Sequence, residues 1–304
     1  MMLKILSGDV EKQLAAIDKN TIDSLICDSS FALGKDVSRD NWIKYVTRIL
    51  IFVSRVLKPG AHGLICSKAK KMHWIGKSIE DSGLEIRDCM THFFTGSNSD
   101  DKLKPDVEYW WLVRKPLMGD VALNVLMFGT GGINIDGSRV KSKECTDKSK
   151  DNHDYDENGR FPSNVMLSHH KDCKNRMENN AEVWRCHPNC AVKILDDQSD
   201  LLKENNGASK YFYCSKSGDE KGRSVDMMSY FVNLITPEGG TVLDCFLSDG
   251  RVGLAAIGMG YKFIGIKNET EFVCPMDPSV CEQCDHYDAD KLCSKLLKPE
   301  AVGG

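Results

Sequence analysis

Cysteine and histidine residues occur in two short groups that could together bind a metal ion. The segment SHHKDC contains His169, His170 and Cys173, and the segment WRCHPNC contains Cys186 and Cys190. Thiolate and imidazole ligands in two such groups are typical of tetrahedral Zn²⁺ sites. We expect one of the two histidines to complete a zinc site with the three cysteines, and the sequence does not distinguish between them. The alternative is a polar loop with free surface thiols.

A second group of cysteines lies near the C-terminus, in CPMDPSVCEQCDHYDADKLC. Cys281 and Cys284 have the Cys-x-x-Cys spacing that supplies half of a zinc site. Cys274 and Cys293 are candidates for the other half, although their spacing is less regular. A second zinc site and unpaired reactive thiols are therefore both compatible with this segment.

The stretch TVLDCFLSDGRVGLAAIGMGYKFIGIKNE predicts a strand, a tight loop, a helix and a second strand. Asp244 ends the first strand, and Gly250 lies where the helix begins. Glycine allows a positive φ and a close approach of the backbone to a ligand. However, Ser248 replaces an expected loop glycine, and Lys267 lies where the second strand would end in an acid. The stretch is either a working nucleotide-type pocket or only its scaffold.

Predicted strands and helices alternate in the first part of the chain. TIDSLICDSSF is a buried strand that ends in an acid, and RDNWIKYVTRILIFVSRVLKPG has helical spacing of apolar residues before a Pro-Gly stop. AHGLICSK, LEIRDCMTHFF and VEYWWLVRKP are further strands. This alternation favours an α/β fold with a parallel component. Residues 117–210 are rich in Gly, Asn, Asp, Ser and Lys and weakly periodic, which predicts a long irregular insertion.

The composition narrows the class of protein. The chain has 304 residues, of which 41% are hydrophobic, and a formal net charge of -4, which neither predicts nor excludes a nucleic-acid partner. No apolar run approaches 18 residues and MMLKILSGDV lacks a signal-peptide core, so we expect a cytoplasmic protein without a membrane partner. In that setting thirteen cysteines favour metal binding over a disulfide framework.

Together these segments resemble the amino-directed DNA methyltransferases, which methylate N6 of adenine or N4 of cytosine and here place the catalytic strand before the cofactor strand. The likeness runs from about Leu6 to Glu269 and rests on LSGDV, DSLICDSSF, VLKPGAHGLIC, GTGGINIDGSRV, GRFPSNVMLSHHKDC, KYFYCSK and LITPEGGTVLDCF, in that order. Phage-type and prophage-type members, encoded in bacterial hosts, carry such a central insertion. The resemblance implies a Rossmann-like sheet of about seven strands, S-adenosyl-L-methionine as cofactor and DNA as partner.

The resemblance also implies a catalytic loop at Asp28, Ser29, Ser30 and Phe31. The family has a polar residue, two prolines and an aromatic residue here. The polar side chain and a backbone carbonyl hold the target amino group, while the aromatic ring stacks on the flipped base. Asp28 and Phe31 match this pattern. Both prolines are absent, and with them the fixed backbone φ that directs the carbonyl.

The cofactor loop of the family reads Asp-Pro-Phe-x-Gly-Ser-Gly, and the resemblance carries this role to Asp244, Phe246, Ser248 and Gly250. The next strand of the family ends in a carboxylate that accepts hydrogen bonds from the ribose hydroxyls. Lys267 can only donate at that position. The family's His-Pro-Thr-x-Lys-Pro segment, expected at residues 219–224, is replaced by DEKGRS. Degeneracy in three ligand-binding segments predicts a cofactor site that is lost or weak.

We therefore expect residues 1–116 to form the catalytic-loop half of one methyltransferase-like domain and residues 211–272 its cofactor-loop half. Residues 117–210 would be a zinc-stabilised insertion for target recognition, and residues 273–304 a cysteine-rich tail. The leading hypothesis is an inactive or impaired enzyme that binds DNA or a protein, such as an active methyltransferase chain of a restriction-modification system. The alternative is an active S-adenosyl-L-methionine-dependent methyltransferase.

Overall fold

The computed structural model describes residues 2–32, 38–96, 106–140, 155–156, 159–178, 181–199, 207–216, 218 and 223–268. The strands are β1 Leu3–Ser7, β2 Ile22–Asp28, β3 Leu57–Ser67, β4 Glu85–Phe94, β5 Asp106–Arg114, β6 Tyr155–Asp156, β7 Gly159–Arg160, β8 Val165–Ser168, β9 Lys174–Glu178, β10 Ala181–Arg185, β11 Tyr213–Ser215, β12 Thr241–Asp244 and β13 Lys262–Lys267. The α-helices are α1 Val10–Ala15, α2 Arg39–Val56, α3 Met72–Asp81, α4 Val121–Phe128, α5 Ala191–Gln198, α6 Val225–Ile235 and α7 Arg251–Gly258.

Nine strands of the described chain form one sheet in the order β1-β13-β12-β2-β3-β5-β4-β8-β11. β5 is antiparallel to its neighbours β3 and β4, and the remaining neighbours are parallel. Every residue of β2 is buried, as expected for a central strand covered on both faces. The predicted α/β fold with a Rossmann-like sheet is confirmed, with nine strands rather than about seven.

Two apolar cores lie on opposite faces of the sheet. One is formed with α1, α2 and α3, and the other with α6 and α7. Helix α2 illustrates the local cause, since Ser38 caps its first turn by accepting a hydrogen bond from the Asn41 N–H and its apolar residues recur at helical spacing. The helix ends at Val56. Pro59 and Gly60, predicted as its stop signal, lie instead near the start of β3, where a proline is tolerated.

Parallel strands place their carboxyl ends at one edge of the sheet, and ligands of open α/β folds bind there. Asp28 ends β2, Asp244 ends β12 and Lys267 ends β13, so the sequence-predicted residues of the catalytic and cofactor loops come to the same edge. We call this the carboxyl edge. Within the described residues, no helix has both the length and the apolarity needed to cross a membrane.

The segment from 117 to 210, predicted as an irregular insertion, has more regular structure than its composition indicates. It contains α4, α5 and two short hairpins, and its strand β8 pairs with β4 in the main sheet. Short strands and single helices give a weak periodic signal, which explains the difference. The domain boundaries themselves remain a prediction, and the tail from 273 lies outside the described residues.

Candidate active site

Asp28 is the central acid of the carboxyl edge and is 6% exposed. It ends the buried strand β2, and its Oδ1 accepts a hydrogen bond of 2.8 Å from the Ser30 N–H in the single 3₁₀ turn that follows. Ser29 donates its hydroxyl to the Cys66 carbonyl, 2.8 Å away, which ties this turn to β3. Phe31 belongs to the same turn, and its side chain lies outside the described part of the structure. The 3₁₀ turn therefore takes the place of the two prolines in shaping the loop.

Arg223 forms a buried ion pair with Asp28. Its Nη1 donates to Asp28 Oδ2 at 2.7 Å, and the two side chains are 8% and 6% exposed. The residue lies directly before Ser224, which caps α6 by accepting a hydrogen bond from the Met227 N–H. This cap fixes the start of the helix, so the arginine side chain is directed from α6 towards the end of β2.

The same guanidinium also binds Glu108 of β5 with two nitrogens. Nη2 donates to Glu108 Oε1 at 2.6 Å, and Nε lies 3.0 Å from Oε2. Nη2 donates further to the Cys66 Sγ at 3.2 Å, and the guanidinium carbon lies 5.4 Å from the Trp110 ring centre. One arginine therefore links α6 to β2, β3 and β5 across the middle of the carboxyl edge.

A chain of buried hydrogen bonds continues from Glu108 into the far half of the sheet. His92 Nδ1 lies 3.4 Å from Glu108 Oε2, and His92 Nε2 lies 2.7 Å from the Ser168 hydroxyl. The Ser168 hydroxyl is in turn 2.5 Å from that of Ser215. His92 and both serines are fully buried. This serine–histidine–glutamate chain is closed to solvent, so it holds β4, β5, β8 and β11 together rather than presenting a nucleophile.

The charge of Arg223 determines the protonation of Glu108. Burial alone would raise the pKa of this carboxyl, but the charge of Arg223 and hydrogen bonds from His92 and Arg223 lower the pKa to about 2. Burial likewise disfavours the charged guanidinium, and Asp28, Cys66 and Glu108 together raise the pKa of Arg223 above its ordinary value. At neutral pH Glu108 is therefore ionised and paired with the Arg223 cation.

Asp244 has the opposite environment. The residue is 5% exposed and Oδ1 accepts a hydrogen bond of 3.0 Å from the Phe246 N–H. Burial raises the pKa of Asp244 to about 8, and the negative charges of Asp249 and Asp28 act in the same direction. The hydrogen bond and Arg223 only partly offset these effects. Asp244 is therefore mostly protonated at neutral pH and can donate a hydrogen bond.

The cofactor loop combines expected and unexpected features. Gly250 has φ +74, a left-handed conformation that glycine adopts without strain, and it begins α7. Ser248 does not have a positive φ, so its side chain is accommodated by the backbone. Asp249 pairs with Arg251 at 2.9 Å, which offsets its negative charge within the loop. Lys267 lies in register with Ser7 and its carbonyl accepts the Gly8 N–H.

The two Cys/His groups of the insertion come together as one cluster. His169 follows β8 at the carboxyl edge, and its Nδ1 lies 3.5 Å from Cys186 Sγ and 3.6 Å from Cys190 Sγ. The ligand atoms of these residues and of Cys173 are all within 4.8 Å of one another. Tetrahedral zinc with ordinary Zn–S and Zn–N bonds places such atoms about 3.6 Å apart. The donor set and its spacing therefore fit Zn²⁺.

His170 belongs to a neighbouring group instead. It stacks on His187 with ring centres 4.2 Å apart and approaches Asp172. The ring of His169, by contrast, stacks on Trp184 at 3.7 Å, which fixes its orientation beside the thiols. The structure thus separates the two histidines that the sequence leaves equivalent. Cys274, Cys281, Cys284 and Cys293 lie outside the described residues.

Arg223 and Glu108 were not among the residues identified from the sequence. Arg223 is 195 positions from Asp28. Its segment, DEKGRS, lacks the family motif and gives no other sign of a role. A charged residue at the start of an apolar helix has no periodic signal that predicts burial. Glu108 gave a clearer sign, because it is an acid within the apolar strand VEYWWLV. Buried acids of this kind require a cationic partner.

Comparison with known proteins gives one family. The family model N6_N4_Mtase, described as DNA methylase, matches residues 22–274. A candidate DNA modification methylase from Thermus thermophilus superimposes with a TM-score of 0.51 at 12% identity, covering 97% of this chain and 96% of that one. The PvuII DNA methyltransferase, specific for N4 of cytosine, has a TM-score of 0.53 at 12% identity, covering 98% and 92%.

A further structure of the Thermus thermophilus protein, complexed with S-adenosyl-L-methionine, gives a TM-score of 0.48 at 11% identity and covers 97% of this chain and 96% of that one. A search of curated protein sequences gives no significant match. The two superpositions with TM-scores above 0.5 show that this chain shares the fold of those proteins.

The first prediction concerns the stability of the Arg223 network. Glu108→Gln should lower the free energy of unfolding by about 2–3 kcal/mol, because it weakens the charge-assisted hydrogen bonds to the buried Arg223, which then keeps only Asp28 as a charged carboxylate partner. The matched control is Glu85→Gln, since Glu85 binds Arg114 with similar geometry but is 38% exposed. That change should cost below about 1 kcal/mol. Urea unfolding followed by tryptophan fluorescence measures both, and equal losses would contradict the buried pair.

The second prediction concerns Asp244 and pH. An ordinary aspartate pKa is about 3.9, whereas burial raises that of folded Asp244 to about 8. Between these values only the folded state keeps the proton, so its contribution to stability falls as pH rises, by up to about 1.4 kcal/mol per pH unit. Asp244→Asn keeps the acceptor for Phe246 and removes this penalty.

The stability advantage of Asp244→Asn over the wild type should therefore increase from about pH 4 to about pH 8. Asp40→Asn, which should show no such trend, is the control, because Asp40 is exposed at the start of α2 and pairs with Arg39. Denaturant unfolding at several pH values measures the trend. A variant that loses stability relative to the wild type as pH rises would show that Asp244 is ionised.

Proposed function

The chain belongs to the N6/N4 family of DNA methylases, and we propose that it is a member whose catalytic acid is blocked by Arg223, so that it binds DNA or a protein partner with little or no methyl transfer. The observation that carries this proposal is the 2.7 Å contact between Arg223 Nη1 and Asp28 Oδ2. In the family the acid at this position holds the target amino group.

Both carboxylate oxygens of Asp28 already have partners. Oδ1 accepts the Ser30 N–H and Oδ2 accepts Arg223. A target amino group needs an acceptor here. The guanidinium already donates a hydrogen bond to Oδ2, and its positive charge offsets the negative charge of the carboxylate. Displacing Arg223 would also separate it from Glu108, leaving a buried carboxylate without its cation, which is strongly unfavourable.

The residues present do not fit S-adenosyl-L-methionine in the pose that methylation requires. Reacting atoms must approach to about 3–3.5 Å, which places the positive sulfonium beside the amino group held by Asp28. The guanidinium of Arg223 donates to that same carboxylate, so the positive sulfonium would have to lie close to a second cation. Lys267 adds a donor where the ribose hydroxyls need an acceptor. The guanidinium of Arg223 and the sulfonium of this cofactor would therefore exclude each other from the position beside Asp28.

The alternative is an active S-adenosyl-L-methionine-dependent N6-adenine or N4-cytosine methyltransferase in which Arg223 swings away on binding. Two observations favour it over complete loss of the site. Asp28 is retained at the end of β2, and Arg251 pairs with Asp249, removing one source of repulsion from the cofactor loop. Measurements of cofactor binding separate the two functions.

A lysine-rich turn supports DNA as the partner. Lys68 and Lys70 are exposed in the turn after β3, at the carboxyl edge next to the Asp28 loop. Lys71 lies 4.9 Å from the Trp42 ring centre and 5.7 Å from that of Trp74. The aromatic contacts hold the turn, and the two exposed ammonium groups can bind phosphates. A protein partner, such as an active methyltransferase chain, could occupy the same edge.

The experiment that tests the proposed function is titration of the purified full chain. Calorimetry with S-adenosyl-L-methionine should give no binding at millimolar ligand, because Arg223 fills the site. Micromolar binding would instead favour the active enzyme. Duplex DNA should bind, as measured by fluorescence anisotropy, with an affinity that falls as salt rises.

Variants of the lysine turn make the DNA measurement specific. Replacing Lys68 and Lys70 with Gln should reduce the slope of log affinity against log salt by about 2. Lys19→Gln, in an exposed loop before β2 at the opposite edge, should leave the slope unchanged. Absence of DNA binding by the wild type would restrict the proposal to a protein partner.

We also propose that His169, Cys173, Cys186 and Cys190 hold a structural Zn²⁺. Without a metal, burial raises the pKa of Cys186 and of Cys173, and neighbouring thiols add to the effect on Cys186. Zinc would displace these protons and join the ends of β8, β10 and α5. A small separate apolar core, centred on Leu167, Cys190 and Val192, surrounds the cluster, which is the setting in which a metal adds most to stability.

Elemental analysis of the purified protein tests the zinc proposal. His169→Ala should lose about one zinc per chain relative to the wild type and become more sensitive to protease in the insertion. His170→Ala should retain the metal, because His170 stacks on His187 away from the thiols. The difference between the variants is independent of any metal held by the tail. An equal zinc content per chain in all three proteins would contradict a zinc site at His169.

A further inference from the structure

Helix α4 presents its apolar side chains to solvent instead of to the core. Leu126 is 84% exposed, Met127 57% and Met118 53%. Val121, Leu123 and Val125 are each between 44% and 46% exposed. We call these six residues the apolar helix patch. A surface helix ordinarily has the reverse arrangement, with its apolar face buried.

A polar residue fixes this orientation. Asn124 is fully buried, and its amide nitrogen donates to the carbonyls of Pro59 at 2.8 Å and Thr130 at 2.6 Å. Its Oδ1 accepts the Met118 N–H at 2.9 Å. The helix is capped by Asp120 at its start and by Gly129, with φ +73, at its end. Rotating the apolar side chains inward would break the three hydrogen bonds of Asn124. The fold itself therefore keeps these apolar side chains exposed.

The size of the patch indicates a partner. The fractional exposures correspond to on the order of 500 Å² of apolar surface, near the upper end of what monomeric proteins expose. A standard stable interface buries about 800 Å² on each side. The patch alone would therefore supply somewhat more than half of one side of such an interface.

We infer that the apolar helix patch binds the same patch on a second copy of this chain. Asp120 is the sole charged residue from 116 to 135, so a two-fold contact brings almost no like charges together. DNA as occupant would require cations that this segment lacks. An interfacial membrane helix is ordinarily flanked by lysine or arginine on its polar face, and here that face is the buried Asn124.

The position of α4 makes this dimer compatible with the proposed function, although it does not depend on that function. Asn124 binds Pro59 near the start of β3, whereas the Asp28 loop binds Cys66 near its end. The intervening strand separates these points by about 20 Å. Two chains joined through α4 would therefore have both carboxyl edges pointing away from the interface.

Sedimentation velocity of the full chain tests the inference. The wild type should be a dimer at micromolar concentration, and Leu126→Glu should raise the dimer dissociation constant at least about 30-fold, the effect of a central interface residue. Leu126 is mostly solvent-exposed in the single chain, so the change leaves the fold intact. The matched control is Ile51→Glu, because Ile51 is 48% exposed on α2, away from α4, and its variant should remain a dimer.

A photo-reactive phenylalanine analogue at position 126 tests the geometry. Illumination should link residue 126 to residues 118–128 of the other copy, identified by mass spectrometry. A wild type that is monomeric at every concentration, or a dimer that Leu126→Glu leaves intact, would overturn the inference. In a monomeric protein, co-sedimentation with phosphatidylcholine vesicles would assign the patch to a lipid surface instead.

Discussion

The buried guanidinium of Arg223 is the interaction on which the carboxyl edge depends. It donates to Asp28 and Glu108 together, and both acids lie on strands that could not bury a charge alone. Breaking such a pair costs more than forming it contributes, because each removed partner leaves an uncompensated ion. A single side chain therefore holds four parts of the fold in one arrangement: the end of β2, the end of β3, the start of β5 and the start of α6.

Under the proposed function, this arrangement limits what the methyltransferase fold can do. The carboxylate expected to accept an amino hydrogen already accepts hydrogen bonds from Ser30 and Arg223, and Arg223 places a positive charge beside it. Burial raises the pKa of the nearby Asp244 to about 8, and the charges of Asp249 and Asp28 act in the same direction. The cofactor loop keeps its left-handed Gly250, so the backbone scaffold survives while the charges at the site have been rearranged. The proposed loss of methyl transfer with retention of the fold is consistent with a function that resides in a few side chains.

The sequence predicts the parts of this site that follow from strand pattern. Alternating apolar strands and helices give the parallel sheet, and parallel strands bring Asp28, Asp244 and Lys267 to one edge. Ligand chemistry predicts the Cys173, Cys186 and Cys190 group, but only side-chain packing separates His169 from His170. Arg223 could not be found in this way, because its partners are distant in sequence and no local pattern encodes a tertiary ion pair. Helix α4 also departs from pattern, since an apolar octapeptide is ordinarily assigned to the core.

Methyl transfer to DNA, compared between the wild type and Asp28→Asn at millimolar S-adenosyl-L-methionine, tests the role of Arg223 most directly. If the guanidinium already occupies the catalytic acid, the two proteins incorporate labelled methyl groups at the same background rate. Incorporation by the wild type that Asp28→Asn abolishes would contradict the account, because it would mean that Arg223 leaves Asp28 during catalysis.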